Sequence, residues 1–192
     1  MKENNQGGYR VAILVIGTVM LLFLGLIYAW SIFRAPLAGI FPDWTATQIS
    51  MTFTISIVCF CAGGFAAGKL SAKIRHRYII LLSAAFILIG FVAITLLLDG
   101  AAPGRSLAAL YIFYGVFGGG GVGLSYNTLL GVVARWFPGR AGMASGILLL
   151  GFGVGGLALG SLVSVLSGSA GMNTTFLILG ILLAAILFAG SF

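Results

Sequence analysis

Two tyrosines set in apolar surroundings are the residues of this sequence best suited to chemistry. Tyr28 opens the stretch "YAWSIFRAPL" (28–37), which also holds Trp30, Arg34 and Pro36. Tyr126 continues a glycine series, Gly115, Gly119 and Gly123, at spacings that keep all four on one helical face. A phenol hydroxyl in an apolar medium needs a partner, so Tyr126 serves either a cavity or an interhelical hydrogen bond. The first stretch allows two readings. Tyr28 and Trp30 anchor at a membrane interface, with Arg34 reaching headgroups and Pro36 ending the helix, or one of the aromatics lines a cavity.

Other chemistries lack their parts. The three acids, Glu3, Asp43 and Asp99, all fall outside the apolar runs, so no carboxylate in these runs can carry a proton or hold sodium. Cys59 and Cys61 point to different sides of a helix and read as small packing residues; neither a disulfide nor a metal site is expected. The single histidine, His76, stands between Arg75 and Arg77 and reads as solvated. An intramembrane hydrolase would need a serine with a histidine partner, and "MASG" (143–146) lacks the glycine that would precede such an element. No enzyme activity, cofactor or metal is expected.

The elements that must position these residues are membrane helices. Of 192 residues 60% are hydrophobic and 7% charged, against roughly 25% charged in a soluble domain. Runs without charge cover 11–33, 44–68, 78–98 and 106–134, each long enough to cross the roughly 30 Å hydrocarbon core. A fifth run, 141–192, is too long for one span, and "SGSAGMNTT" (167–175) supplies its break. The expectation is an all-α membrane protein of six spans, at about 11–33, 46–68, 78–98, 107–133, 142–166 and 175–192, after a tail at 1–10. The first run exceeds the 7–15 residues of a signal peptide core, so it is expected to stay in the protein.

The net charge of +7 reads as orientation, with lipid rather than nucleic acid as the partner. Lys2, Arg10, Lys69, Lys73, Arg75, Arg77, Arg135 and Arg140 fall on one side and only Arg34 and Arg105 on the other. The positive-inside rule then puts the N-terminus in the cytoplasm of a multi-pass cell-membrane protein. Thr45 and Gln48 form a capping-box pattern at the start of the second span, and Trp44 beside them reads as an interfacial anchor. Small residues line up along three spans: Ser50, Thr54, Cys61, Gly64 and Gly68 in the second, the Gly115 series in the fourth, and Ser145, Leu149, Phe152, Gly156 and Gly160 in the fifth. Such stripes allow close helix packing, and the glycines are read that way.

"GKLSAKIRHR" (68–77), "GVGLSYNTLLGVVARWFPGRAGMASGI" (121–147) and "YAWSIFRAPL" together resemble the oxalate/formate antiporter branch of the major facilitator superfamily. The resemblance implies that the six helices form the N-terminal half of a twelve-helix transporter with a cavity open alternately to either side. It implies a small organic anion as substrate, bound by Tyr28, Tyr126 and Phe152, with positive charge from a C-terminal half or a second copy. It also implies a cytoplasmic gate around Gly68, Lys73, Arg75, Arg77, Arg135 and Arg140.

Departures from the branch shape the expectation further. Ile27 stands where a polar residue often precedes the first-helix tyrosine, and Ser50, the fourth residue expected to bind substrate, replaces a second-helix glutamine, so a monocarboxylate is as good a substrate as oxalate or formate. Ala72 replaces the acid of the loop and Arg75 its usual glycine. The chain ends at "ILFAGSF" without a charged flank, which fits a longer natural sequence. The competing expectation is a self-contained six-helix channel or a dimerising membrane protein, although no Asn-Pro-Ala repeat or carbonyl filter is present.

Overall fold

The computed structural model describes residues 2–192, with side chains from Gly8 onward. Lys2 and Glu3, counted above among the charges, lie outside the described side chains. The first span is built from α1 (Lys2–Leu24) and α2 (Trp30–Ile40), joined by a 3₁₀ turn over Gly25–Ala29. The second is α3 (Ala46–Leu70) and the third α4 (His76–Leu97). The fourth combines α5 (Pro103–Ala109), a π-helical segment over Leu110–Gly118, and α6 (Gly119–Trp136). The fifth is α7 (Ala141–Ala170) and the sixth α8 (Met172–Gly190). Among the described residues these give 6 helical runs long and apolar enough to cross a membrane.

Helix ends follow local chemistry. Thr45 caps α3 as its sequence predicts: the Gln48 N–H donates to Thr45 Oγ1 at 3.2 Å and the Thr45 N–H to Gln48 Oε1 at 2.8 Å. Three expected boundaries move. Pro36 does not end the first span but lies inside α2, because the buried Phe33, Leu37 and Phe41 hold the chain against the bundle for another turn. The break between the last two spans is Gly171 alone, at φ +78°, a backbone conformation that glycine adopts without strain. The polar residues before it stay helical. Ser167 and Ser169 donate to the Ser164 and Val165 carbonyls of their own helix, at 3.1 and 2.8 Å. The helix that carries Val11 also starts earlier than position 11, at Lys2.

Three helix pairs make most of the bundle: α3 with α6, α1 with α7, and α4 with α8. In the first two pairs the partners run in the same direction, since the second and fourth spans start at one end and the first and fifth at the other. Exchanging spans one to three for spans four to six converts one pair into the other and leaves the α4·α8 pair unchanged, the signature of two inverted three-helix units.

Both parallel pairs approach through glycine. A Cβ on Gly155 would overlap the Leu22 carbonyl oxygen, and one on Gly119 would overlap that of Ser56. Gly123 meets the Phe60 carbonyl and Gly63 that of Gly120 in the same manner. The glycine stripe of the fourth span therefore packs as expected. In the second span the packed side is Thr52, Ser56, Gly63 and Ala67, all buried, whereas Thr54, Cys61 and Gly68 of the expected stripe are exposed. Cys61 is thus no packing residue; it stands on an open face.

These contacts predict a contrast between two neighbouring glycine types. Gly155→Ala forces α7 away from α1, an overpacking cost of about 1–3 kcal/mol, and lowers both the melting temperature in detergent and the amount of protein in the membrane. Gly64→Ala, whose nearest neighbours would be 3.8 and 3.9 Å from the new methyl, leaves both close to the wild-type values.

Candidate functional site: an aromatic cluster on the open face

Tyr28 owes its position to the 3₁₀ turn. Tightening the helix there buries Gly25, Leu26, Ile27 and Ala29 and turns Tyr28 outward, 46% exposed. Gly25 lets the turn settle directly on the Phe152 carbonyl, where any side chain would collide. The Tyr28 and Phe152 rings then meet edge to face, 5.2 Å between centroids.

Phe152, buried at 4% exposure, is the hub of a cluster drawn from four spans. Tyr126 from α6 lies 4.9 Å from it and Phe60 from α3 lies 6.0 Å from it. Tyr126 and Phe60 are also in contact, at 5.0 Å and an interplanar angle of 61°. Phe53, seven residues before Phe60, extends the cluster to Tyr28 at 6.5 Å. Three of the four residues expected to bind substrate are thereby gathered in one place. Sequence reasoning missed Phe53 and Phe60, whose spacing of seven on an apolar helix was the available signal.

Ser50 does not join the cluster. It is half-buried on α3, where its carbonyl accepts from Thr54 Oγ1 at 3.4 Å, and ten residues of helix put it about 15 Å along the axis from Phe60. Ile27 is not on the open face either. It is 4% exposed and lies in the core near Phe91 and Leu183, so its apolar character does not alter the polarity around Tyr28.

The anchors expected among the aromatics are inside the bundle. Trp30 is 2% exposed, donates from Nε1 to the Ile49 carbonyl at 3.0 Å, and packs on Tyr114 at 4.6 Å. It supports the first span from within. Trp44 is nearly buried and stacks on Phe41 at 3.9 Å. Arg34 alone keeps an exposed position suited to anchoring.

A groove of about 700 Å³ runs from Tyr28 between the first and fifth spans, lined by Ser31, Ile32, Gly156, Gly160, Ser161 and Ser164. It heads toward the end of the bundle that carries Asp43 and Asp99. Its walls are glycine backbone, serine hydroxyls and apolar side chains, with no charged group. Among the described residues neither the Tyr28 nor the Tyr126 hydroxyl has a protein partner, whereas Tyr111 donates to the Gln48 carbonyl at 2.9 Å. Two phenols free to donate, set on one apolar ring, can bind an acceptor such as a carboxylate oxygen.

The basic residues expected at a gate collect at the opposite end. α3 closes with Gly68 and Lys69, the connection 71–75 contains Lys73 and Arg75, and α4 opens with His76 and Arg77. Arg135 and Arg140 flank the turn between α6 and α7. No acid reaches them: among the described residues the only ion pair is Arg105 with Asp99, 3.5 Å apart at the other end. Gly68 faces Asn127, which ties the two helices by donating to the Gly64 carbonyl at 2.7 Å. His76 is half-buried rather than solvated.

Six apolar spans carrying an aromatic-lined face define a multi-pass helical membrane protein. The family is fixed by comparison with known proteins: the chain belongs to the Major Facilitator Superfamily, whose profile matches residues 18–192. It is 28% identical over 189 residues to the oxalate:formate antiporter of Oxalobacter formigenes, covering 94% of this chain and 42% of that protein. It is 28% identical over 190 residues to human monocarboxylate transporter 1, covering 97% of this chain and 36% of that one. An uncharacterized MFS-type transporter of Escherichia coli, YhjX, is 27% identical over 167 residues, or 86% of this chain and 40% of its own length. The chain therefore spans less than half the length of these relatives.

The cluster predicts which of its rings bears weight. Phe152→Ala removes the ring that three others share and costs about 3–5 kcal/mol, read as a large fall in melting temperature. Tyr126→Phe keeps its ring contacts and leaves the melting temperature nearly unchanged.

Proposed function

We propose that this chain forms one side of the binding cavity of a secondary transporter for small carboxylate anions, working by exchange through alternating access. The observation that carries the reading is the pair of phenols, Tyr28 and Tyr126, which have no hydrogen-bond partner among the described residues and pack against Phe152, Tyr28 exposed and Tyr126 partly so. In this reading each tyrosine donates to a carboxylate oxygen while Phe152 keeps water from the opposite side. Both named relatives with a stated substrate, the oxalate:formate antiporter and monocarboxylate transporter 1, handle small carboxylates by their names.

No cation of this chain lies in the spans near the cluster. The charge that neutralises the anion comes from outside the six helices, from a second six-helix half or a second copy. The basic end faces the cytoplasm of the cell membrane, following the positive-inside rule. There Lys73, Arg75, Arg77, Arg135 and Arg140 work at the gate, with Gly68 allowing close approach of the helix ends. Without an acid in the 71–75 connection, its cations Lys73 and Arg75 find their partners in the other half.

The test uses full-length protein in liposomes loaded with oxalate, formate or lactate, with uptake of the labelled anion as readout. Tyr126→Phe deletes one charge-assisted hydrogen bond, worth about 1.5–3 kcal/mol, and lowers uptake by roughly tenfold or more at equal protein content. Equal losses of uptake and protein content would make Tyr126 a packing residue. Lys73→Ala slows exchange while leaving the half-saturating anion concentration unchanged. An unaltered exchange rate would remove it from the gate.

A further inference from the structure

A second groove opens at the basic end, on the side of the bundle away from the aromatic cluster. Its mouth, about 280 Å³, lies among the first, third, fourth and sixth spans, with His76 and Arg77 on one wall and Ile13, Ile16 and Met20 on another. The groove continues between α1 and α8 into a trough of about 380 Å³ along Val15, Val19, Ile186 and Ala189. Ile16, Met20, Gly190 and Phe192 line both parts, so mouth and trough are continuous.

Charge is confined to the mouth. The Arg77 guanidinium sits over the Phe192 ring, 3.6 Å from its centroid, which fixes it at the rim. Arg135 is within electrostatic reach of His76. Arg10 lies one turn before Ile13 on the same face of α1. Among the described side chains both acids, Asp43 and Asp99, belong to the connections at the other end. The trough offers only apolar side chains and glycine backbone.

We propose that this groove binds one acidic phospholipid, its phosphate held by Arg77 and His76 and an acyl chain laid along the exposed Val15, Ile16 and Val19. A trough that is apolar along its length and cationic only at the membrane surface matches such a lipid at both ends. A choline or ethanolamine lipid would bring its own ammonium among Arg10, Arg77 and Arg135, where no acid stands among the described side chains. A free phosphate would leave the trough exposed. The site shares no residue with the aromatic cluster and does not depend on which anion is transported.

The full-length protein, stripped of lipid in detergent and given equal phosphatidylglycerol and phosphatidylcholine, is examined by native mass spectrometry. The first bound lipid is phosphatidylglycerol, favoured over phosphatidylcholine by about fivefold for each basic residue engaged. Arg77→Gln cuts that preference by about fivefold, whereas Arg34→Gln at the other end leaves it intact. Ile16→Trp fills the trough and weakens retention of both lipids. Equal binding of the two lipids by the wild type overturns the proposal, and needs no variant to be stable. So does an unchanged preference in Arg77→Gln or unchanged retention in Ile16→Trp. Displacement of phosphatidylglycerol by millimolar inorganic phosphate would instead mark a site for free anions and equally overturn a lipid site.

Discussion

The close approach of backbones at glycine is the constraint on which the rest of this structure depends. In lipid, apolar side chains gain little by leaving one apolar medium for another, so helices associate through dense packing and short backbone contacts. Gly119, Gly123 and Gly63 seat α6 on α3, and Gly155 and Gly25 seat α7 on the first span. Each glycine faces a carbonyl of the partner helix, which places Cα–H groups against oxygen and adds weak hydrogen bonding to dispersion. The two pairs use the same device because they exchange under the inverted three-helix symmetry.

The aromatic cluster is a product of that packing. Gly25 meets the carbonyl of Phe152 itself, and Gly123 lies three residues before Tyr126 on the helix pressed against Phe60. Four rings from four spans converge because the backbones behind them are in contact. The 3₁₀ turn of the first span and the π-helical segment of the fourth meet through the buried contact of Trp30, which follows the turn, with Tyr114. Both distortions re-aim side chains that an unbroken α-helix would direct elsewhere.

Much of this was legible in the sequence. The six spans follow from uncharged length, the start of α3 from Thr45 and Gln48, and the packing of the fourth span from glycines repeated every four residues. Tyr28, Tyr126 and Phe152 were drawn together by the resemblance of short motifs, since spacing within one helix carries no information about a neighbour two spans away. Other readings missed because local chemistry competes with context. Trp30 and Trp44 suit an interface by type, yet each buries its ring when bundle surface is within reach. The serines around 167 look like a break, yet their hydroxyls can bond to their own helix and continue it. Ser50 is half-buried on α3 and too far along its axis to share a site with Tyr126.

By itself the sequence determined what kind of solvent this protein meets, how many times it crosses it, and where charge collects. Those properties depend on composition and on periodicity within one helix, which tertiary contacts scarcely alter. Which side of each helix faces a neighbour was decided only by the tertiary structure. The small-residue stripe of α3 and its packed side, Thr52, Ser56, Gly63 and Ala67, are nearly alike in polarity. The choice between them was made by where a partner helix could come closest. The open aromatic face and the basic groove follow from that choice, because each is the surface left uncovered when the glycine contacts are satisfied.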